Sequence, residues 1–253
     1  TNCESSVRLL VTVTVTAPAT PTTTDTTQDF CLINAPTVAS IQVNETGVVW
    51  YSTATGGVAL APTTALANGT YYGAILDPVA NCESSVRLLV TVTVTDPATP
   101  TTTDATQDFC FANAPTVASL QVNEANVVWY TTATSGIALT RTTVLANGTY
   151  YGVIHDPTTN CESSVRLLVT VTVTDPATPT TNNATQSFCL TNAPTVASLQ
   201  VNETGVVWYN VATGGTPLAP GTLLVAGTYY GALKDATTGC ESSLRLSVQV
   251  NFT

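Results

Sequence analysis

Four cysteines set the frame for this chain. Cys3, Cys82, Cys161 and Cys240 stand 79 residues apart. Each sits in a copy of Asn81-Cys82-Glu83-Ser84-Ser85-Val86-Arg87-Leu88-Leu89-Val90-Thr91-Val92-Thr93-Val94-Thr95, the other copies opening at Asn2, Asn160 and Gly239. A second series, Cys31, Cys110 and Cys189, keeps the same step. A fixed period of this size marks a repeat array. Three periods leave 16 of the 253 residues over. The phase therefore predicts the last strand of a truncated repeat at 1–16, then whole repeats at 17–95, 96–174 and 175–253. It also predicts that the chain is a window on a longer array.

Composition narrows the class. Only 9% of residues are charged and 44% are apolar. No apolar run approaches the roughly 18 residues of a membrane span, so direct membrane insertion of this segment is not expected. Thr and Val dominate, which favours strands, and no sustained helical period is present. The expected fold class is all-β. The formal charge of −10, with six Lys and Arg, leaves no basic face for phosphates and excludes nucleic acid or an anionic membrane surface as partner. No close C-x-x-C pair is present, which argues against a metal site. Periodic, widely spaced cysteines read as disulfides, which persist outside the cell.

Within each repeat the period-two signal is strongest after the second cysteine. Val86, Leu88, Val90, Val92 and Val94 alternate with Arg87, Leu89, Thr91, Thr93 and Thr95, as Val7 to Thr16 do in the stub. Such alternation is a half-buried strand with its Val face inward. One Thr rank per 79 residues is too sparse for an ice-binding face. Ala17-Pro18-Ala19-Thr20-Pro21, repeated at 96–100 and 175–179, reads as a short stiff linker. Thr37 to Val43 and Val48-Val49-Trp50-Tyr51 read as strands, and Trp50, Trp129 and Trp208 as core. Thr55-Gly56-Gly57 is a hairpin turn. Val58-Ala59-Leu60 returns from it, Leu66 to Tyr72 leads into another strand, Asp77 to Asn81 is a turn, and Cys82 opens the last strand. About seven short strands between turns predict a sandwich.

Phe30-Cys31, Val49-Trp50-Tyr51 with Ala54-Thr55-Gly56-Gly57, Asn68-Gly69-Thr70-Tyr71-Tyr72 and Asn81-Cys82-Glu83-Ser84 together resemble bacterial immunoglobulin-like repeats. Such repeats occur in very large surface proteins of gliding bacteria exported by the type IX route, the giant gliding-motility adhesins among them. The resemblance covers all three repeats and the stub. It implies tandem immunoglobulin-like β-sandwiches, an extracellular cell-surface location and an adhesive or filament-forming role, with no catalytic residues and no cofactor. One departure stands out: if Tyr71 is the corner tyrosine of such a domain, the usual second cysteine is replaced by Gly73.

The residues leave two regular cysteine pairings open. One is within a repeat, as Cys31–Cys82, Cys110–Cys161 and Cys189–Cys240. The other crosses the linker, as Cys3–Cys31, Cys82–Cys110 and Cys161–Cys189. Loop entropies of roughly 4 kcal/mol for either do not decide; the resemblance, with the phase of the array, implies the first. Other candidate sites are weaker. Asp25, Asp29, Asp104 and Asp108 suggest a junction cation, but Asn183 and Ser187 replace them in the third copy, so no metal is expected. His155 occurs once and reads as a turn residue. Glu83 and Arg87 recur as Glu4/Arg8, Glu162/Arg166 and Glu241/Arg245, outward on the last strand. With Leu10, Leu89 and Leu168 they are candidate inter-domain contacts.

No nucleophile–base–orienter set is visible, and the chain is not expected to be an enzyme. The expected function is a structural and adhesive segment of a long extracellular fibre, its domains end to end over roughly 100 Å. Its expected partners are neighbouring repeats, other copies in a filament, or surface polysaccharide. A polysaccharide-binding module using exposed tyrosines, and a pilus-like subunit donating the strand 1–16, are the alternatives.

Overall fold

The computed structural model describes residues 3–15 and 17–253. Thr1, Asn2 and Thr16 of the predicted first strand lie outside the described residues. The chain divides into two compact units, Thr1–Ala98 with His155–Ser164, and Thr99–Ile154 with Val165–Thr253. All regular structure among the described residues is β-strand or single 3₁₀ turns. Each 79-residue period contributes one sheet and one core cluster.

In the first unit the sheet runs in the order β1 (Thr27–Cys31), β5 (Leu88–Thr95), β3 (Gly69–Asp77), β2 (Val48–Tyr51), with β4 (Cys82–Glu83) also on β3. β1 is parallel to β5, so that Thr27 faces Thr91 and Cys31 faces Thr95. β5 and β2 are both antiparallel to β3. The unit also holds β9 (Cys161–Glu162), paired with the end of β8 (Gly148–Asp156). The second unit repeats the same order twice. Its sheets are β6 (Thr106–Cys110), β10 (Leu167–Thr174), β8, β7 (Val127–Tyr130), and β11 (Thr185–Phe188), β14 (Leu246–Phe252), β13 (Gly227–Leu233), β12 (Val206–Tyr209).

The alternation of β5 does what period two requires. Val90 and Val92 are sealed in a core with Val38, Ile41, Trp50 and Leu66, and Leu89 faces out. The opposite wall is irregular. Thr37–Val43, expected as a strand, is not one: Thr37 makes one bridge to Ala65, and Val38–Ser40 is a 3₁₀ turn. The Thr37 amide donates to Ser40 Oγ, which pulls the chain into the turn. Backbone bonds from Val38 to Thr64 and from Leu66 to Pro36 then close the wall. Val58-Ala59-Leu60 likewise contributes a single bridge, Leu60 to Trp50.

Cys82 does not open the long strand. β4 ends at Glu83, and the Ser84 hydroxyl accepts the Ile75 amide, taking the place of a ladder bond. Pairing resumes at Leu88 opposite Gly73, so residues 85–87 bulge against one residue of β3. The bulge turns Val86 out to 60% exposure and re-aims Arg87.

Two further devices recur. Tyr71 Oη accepts from the Ala67 amide and donates to its carbonyl, a tyrosine corner, with equivalents at Tyr150 and Tyr229. Two residues on, Gly73 lies under the Trp50 ring, and a Cβ there would stand 3.1 Å from two ring carbons and from Val48 Cγ1. The indole thus fills the space that an inter-sheet cystine takes elsewhere. The predicted linker also packs: Pro21, Pro100 and Pro179 are fully buried. Next to them the Thr22 amide and hydroxyl donate to the two oxygens of Glu45, at 2.7 and 2.6 Å.

The segment 3–15 is in no strand and is exposed along its length. Its pattern matches β5, which in the first whole repeat pairs with β1 on one side and β3 on the other.

Of the three glycines beneath the tryptophans, Gly231 is the tightest: a Cβ there would meet Val206 Cγ1 at 2.9 Å. Gly231→Ala is expected to cost about 1–3 kcal/mol. In a guanidinium titration followed by near-ultraviolet dichroism, one of the three transitions should move to lower denaturant. Hydrogen bonds from Thr180 hold the Glu203 carboxyl below its ordinary value, as Thr22 and Thr101 do for Glu45 and Glu124. The stabilisation is therefore complete above the unfolded-state value of about 4.5 and is lost as pH falls through the lower folded value. Glu203→Gln should flatten the fall of the third repeat's melting temperature below about pH 4.5.

Candidate functional site: the cystine joint

The recurring cysteines meet in an arrangement that neither predicted pairing contains. In the first unit Cys31 bonds Cys161, and in the second Cys110 bonds Cys240. Both bridges span 130 residues, with Cα atoms 5.2 Å apart. The within-repeat pairs Cys31–Cys82, Cys110–Cys161 and Cys189–Cys240 are thereby overturned, and so are the cross-linker pairs Cys3–Cys31, Cys82–Cys110 and Cys161–Cys189. Each bridge instead links the first cysteine of one repeat to the second cysteine of the next.

Strand geometry explains the correction. Cys31 ends β1 level with Thr95, the last residue of β5. Cys82 is level with Asp77, four residues beyond Gly73, and Gly73 faces the first residue of β5. The two cysteines therefore lie at opposite ends of one sheet, about 35 Å apart at 3.3 Å per residue. A cystine needs Cα atoms within about 7 Å.

Each half of the joint is shaped locally. Cys31 leads into a 3₁₀ turn, Leu32–Asn34, closed by Ala35 in the left-handed region. Cys161 follows a turn in which Asp156 Oδ1 accepts the Thr158 amide and Oδ2 the Thr159 hydroxyl, drawing the Asp156 carboxyl below its ordinary value. Asp77 and Asp235 head the same turn in the other copies. In the two bridges Cys161 and Cys240 are each 3% exposed. Beside Cys161, Asp96 accepts the Ser164 amide and hydroxyl, both at 2.8 Å; Asp175 does the same for Ser243. The first copy has Ala17 at that position.

Glu83 and Arg87 face their own repeat, where the sequence reading had turned them toward a neighbour. The Arg87 guanidinium stacks 3.4 Å from the centre of the Tyr51 ring and donates to the Thr53 and Gly56 carbonyls at 2.9 and 2.8 Å. Glu83 accepts the Tyr51 hydroxyl and pairs with Arg87 at 3.6 Å. The cluster pins the 52–57 turn over Tyr51. Arg166 covers Tyr130 and Arg245 covers Tyr209 in the same way. Burial and the hydrogen bond to Glu241 push the Tyr209 phenol up to about 12. A Tyr directly after each Trp, 36 residues before an Arg, was the available signal.

The remaining candidates separate. Trp50, Trp129 and Trp208 are 4–5% exposed in the three cores. Leu89 and Leu168 are each 49% exposed and Leu10 is 89% exposed. Asp25 and Asp104 accept the amides of Thr27 and Thr106, and His155 Nε2 is 3.0 Å from Asn160 Oδ1. Among the described residues no three His, Cys, Asp or Glu side chains cluster as metal ligands.

Comparison with known proteins adds one family. Residues 176–253 match the model described as "Ig-like domain CHU_C associated". No curated protein matches the chain. Among solved structures it is similar to the N-terminal eight Ig domains of Down Syndrome Cell Adhesion Molecule isoform 1.30.30, at 13% identity and a TM-score of 0.26, over 97% of this chain and 43% of that one. It is also similar to the N-terminal four Ig domains of Dscam1 isoform 4.4, at 12% identity and 0.20, over 73% and 54%. A third is the Bacteroides ovatus SGBP-B of the mixed-linkage glucan utilization locus, in complex with a mixed-linkage heptasaccharide, at 14% identity and 0.19, over 93% and 69%. The chain thus spans less than half of the first of these. The fold is a tandem of Ig-like β-sandwiches, and the disulfides point to an extracellular or secreted protein. No helix among the described residues is long and apolar enough to cross a membrane.

The joint has a covalent signature. With a protease site placed in the linker at 96–101 and cut, the two pieces should stay together through Cys31–Cys161. Electrophoresis should show one band without reductant and two with it. Within-repeat pairing would give two bands in both.

Proposed function

We propose that the chain is a tension-carrying segment of an extracellular fibre or stalk, adhesive through its surface or through domains it holds out from the cell. The observation that supports this is the course of the staples. Along the backbone 209 residues separate Cys31 from Cys240. With both bridges closed, the covalent path is the 51 residues from Cys161 back to Cys110. That path leaves out the linker at 96–100. Load would therefore pass from repeat to repeat through sulfur, and the proline-rich connection would be spared. Repeats of this kind fit the very large cell-surface adhesins that the sequence resembles. Leu89 and Leu168 are the exposed apolar side chains proposed to touch neighbours.

The polysaccharide-binding reading has less to stand on. Tyr51 is buried under Arg87, and the hydroxyls of Tyr71, Tyr150 and Tyr229 are engaged in their corners. None of these offers an open aromatic platform.

Stretching the chain by its ends tests the proposal. At roughly 3.5 Å per residue, the span from Cys31 to Cys240 should yield about 180 Å under oxidising conditions and about 730 Å after reduction. A chain that extends fully in both conditions carries no load through its cystines, and the tension-carrying reading would be abandoned.

A further inference from the structure

In a periodic chain a cystine has to choose its partner. Cys161 and Cys240 follow equivalent Asp-headed turns, and loop length hardly separates them as partners for Cys31. Lengthening the loop from 130 residues to 209 makes closure only about twofold rarer. Yet the bonds formed are Cys31–Cys161 and Cys110–Cys240, each from one repeat to the next. A contact other than the chain itself has to bring the right cysteine up.

The surroundings of each cystine supply that contact. Asp96 directly follows Thr95, which is level with Cys31 in the β1–β5 pair. Its two carboxylate oxygens accept the amide and the hydroxyl of Ser164, both at 2.8 Å, across 68 residues of chain. Ser164 lies three residues beyond Cys161. β9, which carries Cys161, packs on β1 and on the 3₁₀ turn Leu32–Asn34. In the second unit Asp175 follows Thr174, level with Cys110, and holds Ser243 in the same way, three residues beyond Cys240. Hydrogen bonds to an ionised acceptor are the stronger kind. Neither clamp uses a cysteine, so neither needs the sulfur to be oxidised first. Nor does the sheet need the aspartate: the first repeat has Ala17 in that place and keeps the same strand order.

We infer that Asp96 and Asp175 are positioning residues for disulfide formation: each seats the serine of the following Cys-Glu-Ser-Ser segment and thereby selects which cysteine closes the joint. The oxidising equivalents come from a low-molecular-weight disulfide such as oxidised glutathione. The Cys31 thiolate attacks one of its sulfurs, the S–S bond breaks, and one glutathione thiolate leaves. The Cys161 thiolate, held close by the clamp, attacks the Cys31 sulfur and displaces the other glutathione. The two protons given up by the cysteines are taken by the two leaving thiolates. The clamp raises the effective concentration of one thiol at the other. By linkage, the closed cystine strengthens the clamp by the same factor. The selection of partners is separate from whether the segment bears load.

The test equilibrates the full chain in graded mixtures of reduced and oxidised glutathione, traps the thiols by alkylation and reads each joint by non-reducing peptide mapping. Asp96→Ala should lower the equilibrium constant of Cys31–Cys161 against glutathione about tenfold and leave Cys110–Cys240 unmoved. Asp175→Ala should do the reverse. Ser164→Ala, which removes the hydroxyl bond and keeps the amide, should shift Cys31–Cys161 in the same direction by a smaller factor. After refolding from the fully reduced state, Asp96→Ala should also show Cys31 joined to cysteines other than Cys161. An unmoved Cys31–Cys161 equilibrium in Asp96→Ala would overturn the inference. So would a shift of both joints together in that variant, which marks a general loss of stability.

Discussion

Parallel pairing of β1 with β5 is the constraint from which the rest of this architecture follows. The chain enters each sheet along the same direction in which it leaves, so Cys31 and the end of β5 arrive at one end together. β3 runs against them and delivers the turn at Asp77, and with it Cys82, to the other end. No side chain can close that distance within a repeat. A disulfide built from these positions has to find its partner in a neighbouring repeat.

That placement matters for a domain of this size. A 79-residue sandwich buries a limited share of its surface and is marginal alone. Its core is a handful of side chains, Val38, Ile41, Trp50, Leu66, Val90 and Val92 in the first copy. A cystine closing a 130-residue loop removes about 5 kcal/mol of unfolded-chain entropy in the simple loop model. Because the loop includes most of two repeats, the constraint is shared between them. The loops of Cys31–Cys161 and Cys110–Cys240 also overlap from 110 to 161. Unfolding the second repeat therefore frees less chain than its length, since both of its ends are tied.

What could be read from the sequence was whatever depended on nearest neighbours. The 79-residue period, the buried Val face of β5, the tryptophan core and the turns at Gly56 and Asp77 all follow from local pattern. Thr37–Val43 departs from the expected strand because the Ser40 hydroxyl competes for the Thr37 amide, which the residue pattern does not show. Arg87 was placed outward because alternation was carried through residues 85–87, where a bulge breaks it. The cystine joint was hidden for a different reason. In a repeat array every first cysteine is equivalent to every other, and loop entropy changes by less than about 1 kcal/mol between a 51-residue and a 130-residue loop. Only the direction of β1 against β5 distinguishes the pairings, and strand direction is not written in a periodic pattern.

The sheet edges bear on where contacts between copies can form. An exposed edge strand is a template for sideways pairing, and proteins limit it with short strands and charge. Here the edge strand β2 has four residues, and β1 has five with Asp29 exposed at its centre. β7 and β6 repeat those lengths, with Asp108 in the same place. Lateral pairing along such edges yields few bonds, and like carboxylates would face each other in a symmetric pair. The sheet ends differ: there the chain closes Cys31–Cys161 and Cys110–Cys240 on itself, repeat to repeat. Short strands with an exposed carboxylate at the centre of β1 and β6 therefore work against sideways aggregation of these sheets.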